Sequence, residues 1–339
     1  MTGRNKKKRA AVLGAGNWGT TLAVMLAEKG YAVRLWEFRA EAARKIQQER
    51  ENKEFLPGIP LPDNISVDSD MGKTLSDNQT VFWVLPSKVL RSVCRNSALL
   101  LGEERLLVSA IKGIEVSSLM RCSQVLEQEL GQKASRLAVL SGPNIAPEIA
   151  RHVPSTTVVA AKFPEDAKEV QEMLRSHYFR VYTGDDIIGL ELGGSLKNII
   201  AIAGGIIDGL GLGANTKGAL LTRGLAEITR LGVALGARPD TFAGLSGMGD
   251  LITTCFSQQS RNRSVGQQIG QGRKLGDILK QMSMVAEGVE TTKAAHRLAQ
   301  KHGIEMPITQ QMYRVLFEDK DPAEALKDLM GRDAKAELW

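Results

Sequence analysis

The sequence predicts a doubly wound, mostly parallel α/β sheet followed by an all-helical C-terminal domain. Strand and helix patterns alternate from Ala10 to Tyr182, and beyond about Asp186 only helical periodicity remains. A glycine turn, Gly14-x-Gly16-x-x-Gly19, also lies between the first apolar run and the first helical pattern. Alternation with such a turn is the pattern of a parallel sheet with helices on both faces.

Ala10–Leu13 is a short apolar run suited to a buried strand. After the glycine turn a helical pattern covers Thr21–Lys29 and Gly30 closes it. Ala32–Trp36 gives the second strand, and Glu41–Glu51 a charged amphipathic helix. Val81–Leu85, Leu106–Ala110, Leu137–Leu140, Thr156–Ala160 and Phe179–Tyr182 are further buried-strand candidates. Helical stretches around Val89–Leu100, Leu119–Leu130 and Asp166–Ser176 separate them. The second part has helical periodicity over Ile187–Leu210, Thr216–Leu235, Arg263–Gly270, Leu275–Lys280, Val289–His302, Ile308–Phe317 and Pro322–Leu329. The expected organisation is therefore a Rossmann-type domain over residues 1–186 and an all-helical domain over 187–339.

A chain of 339 residues, 43% hydrophobic and 24% charged, has room for two ordinary domains. The net charge of +6 is concentrated in Arg4, Lys6, Lys7, Lys8 and Arg9, so the rest is close to neutral. Such an arm reads as a solvated terminus, and without interleaved aromatics no nucleic-acid partner is expected. The segment after it reads as a strand and turn, which argues against a signal peptide. Ile187–Leu212 comes nearest to a membrane span, but Glu191, Lys197 and Asp208 interrupt it and indicate a core helix, without stable membrane insertion. Cys94, Cys122 and Cys255 form neither a disulfide framework nor a zinc pattern, which suits a reducing cytoplasm. The four histidines are scattered, so no metal site is expected.

Lys197 stands in a long apolar, glycine-punctuated segment, after Gly193-Gly194 and before Asn198. An ammonium there snorkels to water, loses its proton, or faces a polar cavity. Desolvation moves a lysine towards neutrality, the property of a general acid/base. In the glycine turn, Gly14 permits the bend, Gly16 lets a pyrophosphate approach the backbone, and Gly19 lets helix and strand pack closely. Glu37 ends the second strand, 18 residues beyond Gly19, and can accept the ribose hydroxyls of NAD. Arg39, two residues on, offers a partner for the 2′-phosphate of NADP instead, so both cofactors stay open. Lys112 and the Ser141-Gly142-Pro143-Asn144 turn follow strands. The segment Leu245–Arg263 sets Asp250 after a glycine turn and Ser260-Arg261-Asn262 at a helix start. Arginine at a helix start suits a phosphate, a contact worth roughly 1.5–3 kcal/mol.

In this order LGAGNWGT, SAIKG, SGPN, ELGGSLKN, GMGDLITTC and QSRNR resemble the motifs of bacterial NAD(P)-dependent glycerol-3-phosphate dehydrogenases, over nearly the whole chain. The resemblance implies interconversion of dihydroxyacetone phosphate and sn-glycerol 3-phosphate, feeding glycerophospholipid synthesis, with Lys197 as general acid/base. It implies a substrate pocket of Lys112, Gly142, Asn144, Lys197, Asp250, Ser260, Arg261 and Asn262. For NAD or NADP it implies Gly14, Gly16, Asn17, Trp18, Gly19, Glu37, Phe38, Lys112, Ala146, Arg261, Val285 and Glu287. It also implies a homodimer. Asn144 stands where Ser or Thr is usual, and Phe38 where basic residues or His are frequent. Two alternatives share parts of the pattern. Another β-hydroxyacid-type dehydrogenase, acting on a sugar acid or ketopantoate, would lack Ser260-Arg261-Asn262; a non-catalytic dinucleotide sensor would lack Lys197 or Arg261.

Overall fold

The computed structural model describes residues 8–282, 284–334, 336 and 337. Arg4, Lys6 and Lys7 of the basic arm lie outside them; Lys8 sits over the Tyr31 ring and Arg9 pairs with Asp77. Two compact units form, one from residues 1–112 and 120–191, the other from 113–119 and 192–339.

The first unit runs β1 (Arg9–Leu13), α1 (Asn17–Glu28), β2 (Ala32–Trp36), α2 (Ala40–Glu49), β3 (Ile65–Asp68), α3 (Met71–Leu75), β4 (Thr80–Trp83) and α4 (Leu90–Ser97). It continues through β5 (Leu106–Ser109), α5 (Cys122–Leu130), β6 (Leu137–Ser141), α6 (Ala146–Ile149), β7 (Ser155–Ala161), α7 (Pro164–Leu174) and β8 (Phe179–Gly184). The strands form one sheet in the order β3-β2-β1-β4-β5-β6-β7-β8, and only the β6–β7 pair is antiparallel. The order reverses at β1, where Leu13 pairs with Trp36 on one side and Trp83 on the other. Ligands of open α/β sheets bind at this kind of switch point.

The strands read as continuous apolar runs because both faces are covered. Val12, Leu35, Phe82 and Val108 pack with α1 residues Leu22 and Leu26 on one face. Leu13, Trp83 and Leu107 pack with Val125 and Leu126 of α5 on the other. Strand β3 was not expected from sequence. It has four residues, only Ile65 and Val67 are buried, and acidic and turn residues flank it.

Helix α8 (Ile187–Gly209) follows, then α9 (Ala214–Ala234), α10 (Pro239–Ala243), α11 (Asp250–Phe256), α12 (Arg261–Gly270), α13 (Leu275–Gln281), α14 (Glu287–His302), α15 (Pro307–Phe317) and α16 (Pro322–Met330). By length and composition α8 could cross a membrane, but 89% of its most apolar stretch is buried, as in a core helix. The change of character at residue 186 and the division of the units differ by about a turn of α8. The cause is Glu191: its carboxylate accepts from Ser123 N–H (2.7 Å), Ser123 Oγ (2.6 Å) and Arg121 Nη1 (2.5 Å), which ties this turn to α5. Residues 113–119 join the second unit, where Arg297 of α14 donates to the Val116 carbonyl at 2.6 Å.

Candidate functional site

In the first unit the backbone bends sharply between β1 and α1. Gly14 has φ +114°, and a Cβ there would lie 2.3 Å from the Val84 carbonyl oxygen. A Cβ on Gly19 would fall 1.9 Å from the Gly14 carbonyl oxygen, so this glycine sets how closely α1 approaches the turn. A Cβ on Gly16, the N-cap of α1, would meet nothing within 4 Å. The result is an open cradle over a helix N-terminus with no acidic side chain in its first turn, which fits the pyrophosphate of a nicotinamide dinucleotide. Asn17 Oδ1 accepts from the Trp18 N–H at 2.7 Å, and Trp18 packs on the core. Ala146 begins α6, with its carbonyl 3.3 Å from Thr21 Oγ1 of α1.

Directly after β2, Glu37 is buried and Phe38 is exposed. Glu37 Oε1 accepts from the Arg39 N–H at 3.1 Å and from Arg39 Nε at 2.8 Å. Lys112 follows β5, and its Nζ donates to the Gly142 carbonyl at 3.0 Å. Asn144 Nδ2 donates to the Thr156 carbonyl at 3.1 Å. Thr157 Oγ1 stands between the Ser141 carbonyl (2.9 Å) and Asn144 Oδ1 (3.0 Å). The carboxamide of Asn144 is thus held on β7, and Lys112 is the cation of this segment.

In the second unit Lys197 is only 5% exposed. Its Nζ donates to Asp250 Oδ1 at 2.5 Å and to Thr254 Oγ1. Asp250 opens α11 and Thr254 follows one turn later on the same face, both buried. A wide π turn over Leu245–Gly249 delivers Asp250. A Cβ on Gly193 would lie 2.6 Å from the Ser246 carbonyl oxygen, so the glycine lead-in to Lys197 admits that turn. The lysine is therefore not a solvated surface group. Its charge is matched by a buried carboxylate, the arrangement that makes a buried ammonium tolerable. Cys255, next to Thr254, is fully buried, and burial pushes its thiol up to about 12, which removes it as a nucleophile.

Ser260 is the N-cap of α12, and its Oγ accepts from the Arg263 N–H at 3.2 Å. Asn262 Nδ2 donates to Asn198 Oδ1 at 2.9 Å, and its Oδ1 accepts from the Gly288 N–H at 2.9 Å. This one side chain joins the start of α12 to α14 and to the neighbour of Lys197 on α8. Arg261 Nη1 donates to the Val285 carbonyl at 2.9 Å. Burial lowers the Arg261 pKa, and the Glu287 carboxylate offsets this only in part. Among the described residues Nε and Nη2 of Arg261 meet no partner, so they and the α12 N-terminus suit an anion. Arg263 Nε donates to Asp208 of α8 at 2.7 Å, and a Cβ on Gly266 would lie 1.9 Å from the Ile202 carbonyl oxygen. These contacts lock α12 onto α8. No three His, Cys, Asp or Glu among the described residues are grouped to hold a metal ion.

Family models described as the N-terminus and C-terminus of NAD-dependent glycerol-3-phosphate dehydrogenase match residues 9–167 and 186–327. The chain belongs to this family. It is 51% identical to glycerol-3-phosphate dehydrogenase (NAD(P)+) of Citrifermentans bemidjiense over 97% of its own length and 99% of the relative's. The crystal structure of glycerol-3-phosphate dehydrogenase from Coxiella burnetii superposes with a TM-score of 0.92 at 39% identity, covering 96% of this chain and 99% of that one. A PanE/ApbA family ketopantoate reductase from Ralstonia eutropha, at 16% identity and a TM-score of 0.62 over 94% and 99% of the two chains, shares the fold alone.

The structure brings Lys197 and Asp250 together and links them through Asn198 to Asn262. Arg261 lies with Val285 and Glu287. Sequence reasoning missed Thr254, although an Asp and a Thr four residues apart on one helix face are the visible signal.

Proposed function

We propose that the chain interconverts dihydroxyacetone phosphate and sn-glycerol 3-phosphate with NAD(P)H, and that Lys197 is the general acid/base. One observation carries the reading: in a member of this family, a buried Lys197 ammonium is held by Asp250 and Thr254 and linked through Asn198 and Asn262 to an anion-ready helix start. The bound nicotinamide supplies the hydride in reduction and accepts it in oxidation.

In reduction, Lys197 Nζ gives a proton to the oxygen of the ketone as that carbon becomes tetrahedral, and solvent restores the proton. In oxidation the neutral amine takes the hydroxyl proton. Asp250 stabilises the ammonium in either direction, and Thr254 fixes the direction in which Nζ points. Arg261, Ser260 and Asn262 are assigned to the phosphate, with Asn262 offering its backbone N–H because its carboxamide is engaged. Lys112, Gly142 and Asn144 are assigned to the substrate through the Lys112 charge. Gly14, Gly16, Asn17, Trp18, Gly19, Glu37, Phe38, Lys112, Ala146, Arg261, Val285 and Glu287 are assigned to the dinucleotide. The reading extends to a cytoplasmic homodimer that supplies glycerophospholipid synthesis, with the dimer to be checked by sedimentation.

The test is the loss of reduced-nicotinamide absorbance with dihydroxyacetone phosphate, beside unphosphorylated dihydroxyacetone and ketopantoate. Turnover should require the phosphate. Reduction of ketopantoate without reduction of dihydroxyacetone phosphate would overturn the proposal.

A further inference from the structure

We propose that a clamp of Glu37, Arg39 and Glu54 at the end of β2 makes this enzyme select NAD(H) over NADP(H). The inference rests on the dehydrogenase reading above and names its cofactor more narrowly.

Sequence alone leaves two opposite uses for this segment, because Glu37 suits a ribose and Arg39 suits a 2′-phosphate. The geometry separates them. Arg39 Nε donates to Glu37 Oε1 at 2.8 Å, while its Nη1 and Nη2 form a bidentate pair with Glu54 at 3.1 and 3.0 Å. The guanidinium carbon also sits 5.4 Å from the Phe55 ring centre and 5.7 Å from that of Phe38. All three guanidinium nitrogens therefore have a partner within the protein, and two aromatic rings lie beside the group.

The backbone just before Glu54 is anchored. Asn52, two residues before it, is 1% exposed and donates to the Ala15 carbonyl at 2.7 Å and to Thr20 Oγ1 at 2.9 Å. These bonds fasten the 52–55 segment to the glycine turn that forms the cradle. The clamp is thus built onto the cofactor-binding loop itself.

Charge then decides. Two carboxylates and one guanidinium leave a net negative charge where a 2′-phosphate would have to lie. The Glu37 N–H donates to the Asp68 carbonyl at 3.1 Å, which fixes the end of β2 against β3, while the Asp68 carboxylate is itself paired with Lys73. Glu37 is 4% exposed, so little water screens it. Its Oε2 meets no partner among the described residues and can accept from the ribose hydroxyls of NAD. A phosphate there would meet like charge, and Arg39, its charge already matched by Glu37 and Glu54, could offer only its two remaining N–H donors. Like-charge juxtaposition of this kind is costly.

Dissociation constants of NADH and NADPH, measured by calorimetry on the full chain, test the inference without relying on turnover. The unaltered protein should bind NADH roughly 100-fold more tightly than NADPH. Glu54→Gln should tighten NADPH about 3- to 10-fold and leave NADH unchanged, because Glu54 meets Arg39 and not the ribose. A second variant, Glu37→Ser, should tighten NADPH and weaken NADH, each by roughly tenfold. Equal affinities, or tighter NADPH binding by the unaltered protein, would overturn the inference and leave the dehydrogenase reading intact. So would a Glu54→Gln change that moves both dinucleotides alike. Binding of neither dinucleotide would overturn both.

Discussion

Asp250→Asn is the substitution whose cost the structure defines most closely. It removes one charge, keeps the size, and leaves an amide oxygen where Oδ1 now accepts from Lys197 at 2.5 Å. Lys197 and Asp250 are 5% and 1% exposed, so water does little to replace the lost carboxylate. Removing one partner of a buried ion pair costs about 3–5 kcal/mol. The retained amide oxygen and the Thr254 hydroxyl place the expected loss near the lower end, about 3 kcal/mol. At roughly 2–4 °C per kcal/mol, the melting temperature should fall by roughly 6–12 °C. Calorimetry of Asp250→Asn, Lys197→Met and the double variant closes a cycle. The double variant, with neither charge left, should recover at least ~2 kcal/mol relative to the sum of the singles. Additive losses, or an Asp250→Asn melting temperature within about 2 °C of the unaltered protein, would refute the claim that the two charges hold each other in the interior.

Four further outcomes are expected. Asn262→Ala leaves the Gly288 N–H and the Asn198 carboxamide oxygen without their present partner, so it should cost about 2–3 kcal/mol and raise KM for dihydroxyacetone phosphate; an unchanged melting temperature and KM would count against the link. Gly266→Ala sets a methyl 1.9 Å from the Ile202 carbonyl oxygen and should destabilise by about 3 kcal/mol or prevent folding, whereas a normal melting temperature would deny the close crossing of α8 and α12. Glu227 is buried and accepts from the Ile308 and Thr309 N–H groups at the start of α15, and burial raises its pKa to about 7. A folded pKa above the unfolded value means its contribution is complete below about pH 4.5 and is lost as pH rises through about 7. Relative to Glu227→Gln, the unaltered protein should lose roughly 2 kcal/mol between about pH 5 and pH 8, and parallel stability profiles would contradict this. Cys94, Cys122 and Cys255 are all buried, so a thiol reagent at neutral pH should label none in the native protein and all three after unfolding; rapid native labelling would show the interior to be open.

What the sequence made legible follows from burial. Strands β4 to β6 are apolar on both faces and stand out as runs, whereas β3 shows only Ile65 and Val67 to the core and is hidden among Asp, Asn and Ser. Helix α11 was obscured because the glycines before Asp250 look like a loop, although they form the π turn that aims it. Residue types at the site were readable from their motifs, but their roles depend on partners distant in sequence. Ser260, Asn144 and Asn262 are of types that suit a ligand, yet in the structure Ser260 caps a helix, Asn144 holds β7, and Asn262 ties α12 to α8 and α14. The conflict between Glu37 and Arg39 could not be resolved locally, since the deciding residue, Glu54, lies 15 positions beyond Arg39.

The most direct test of the proposed chemistry is a single comparison on Lys197→Ala: turnover of dihydroxyacetone phosphate against the dissociation constant of NADH. General acid/base groups contribute roughly 100- to 10,000-fold to rate. The glycine cradle and Glu37 belong to the first unit and Lys197 to the second. Turnover should therefore fall within or beyond that range while NADH binding stays within about twofold. Near-normal turnover with normal NADH binding would contradict the account, because the proton would then be moved by another group.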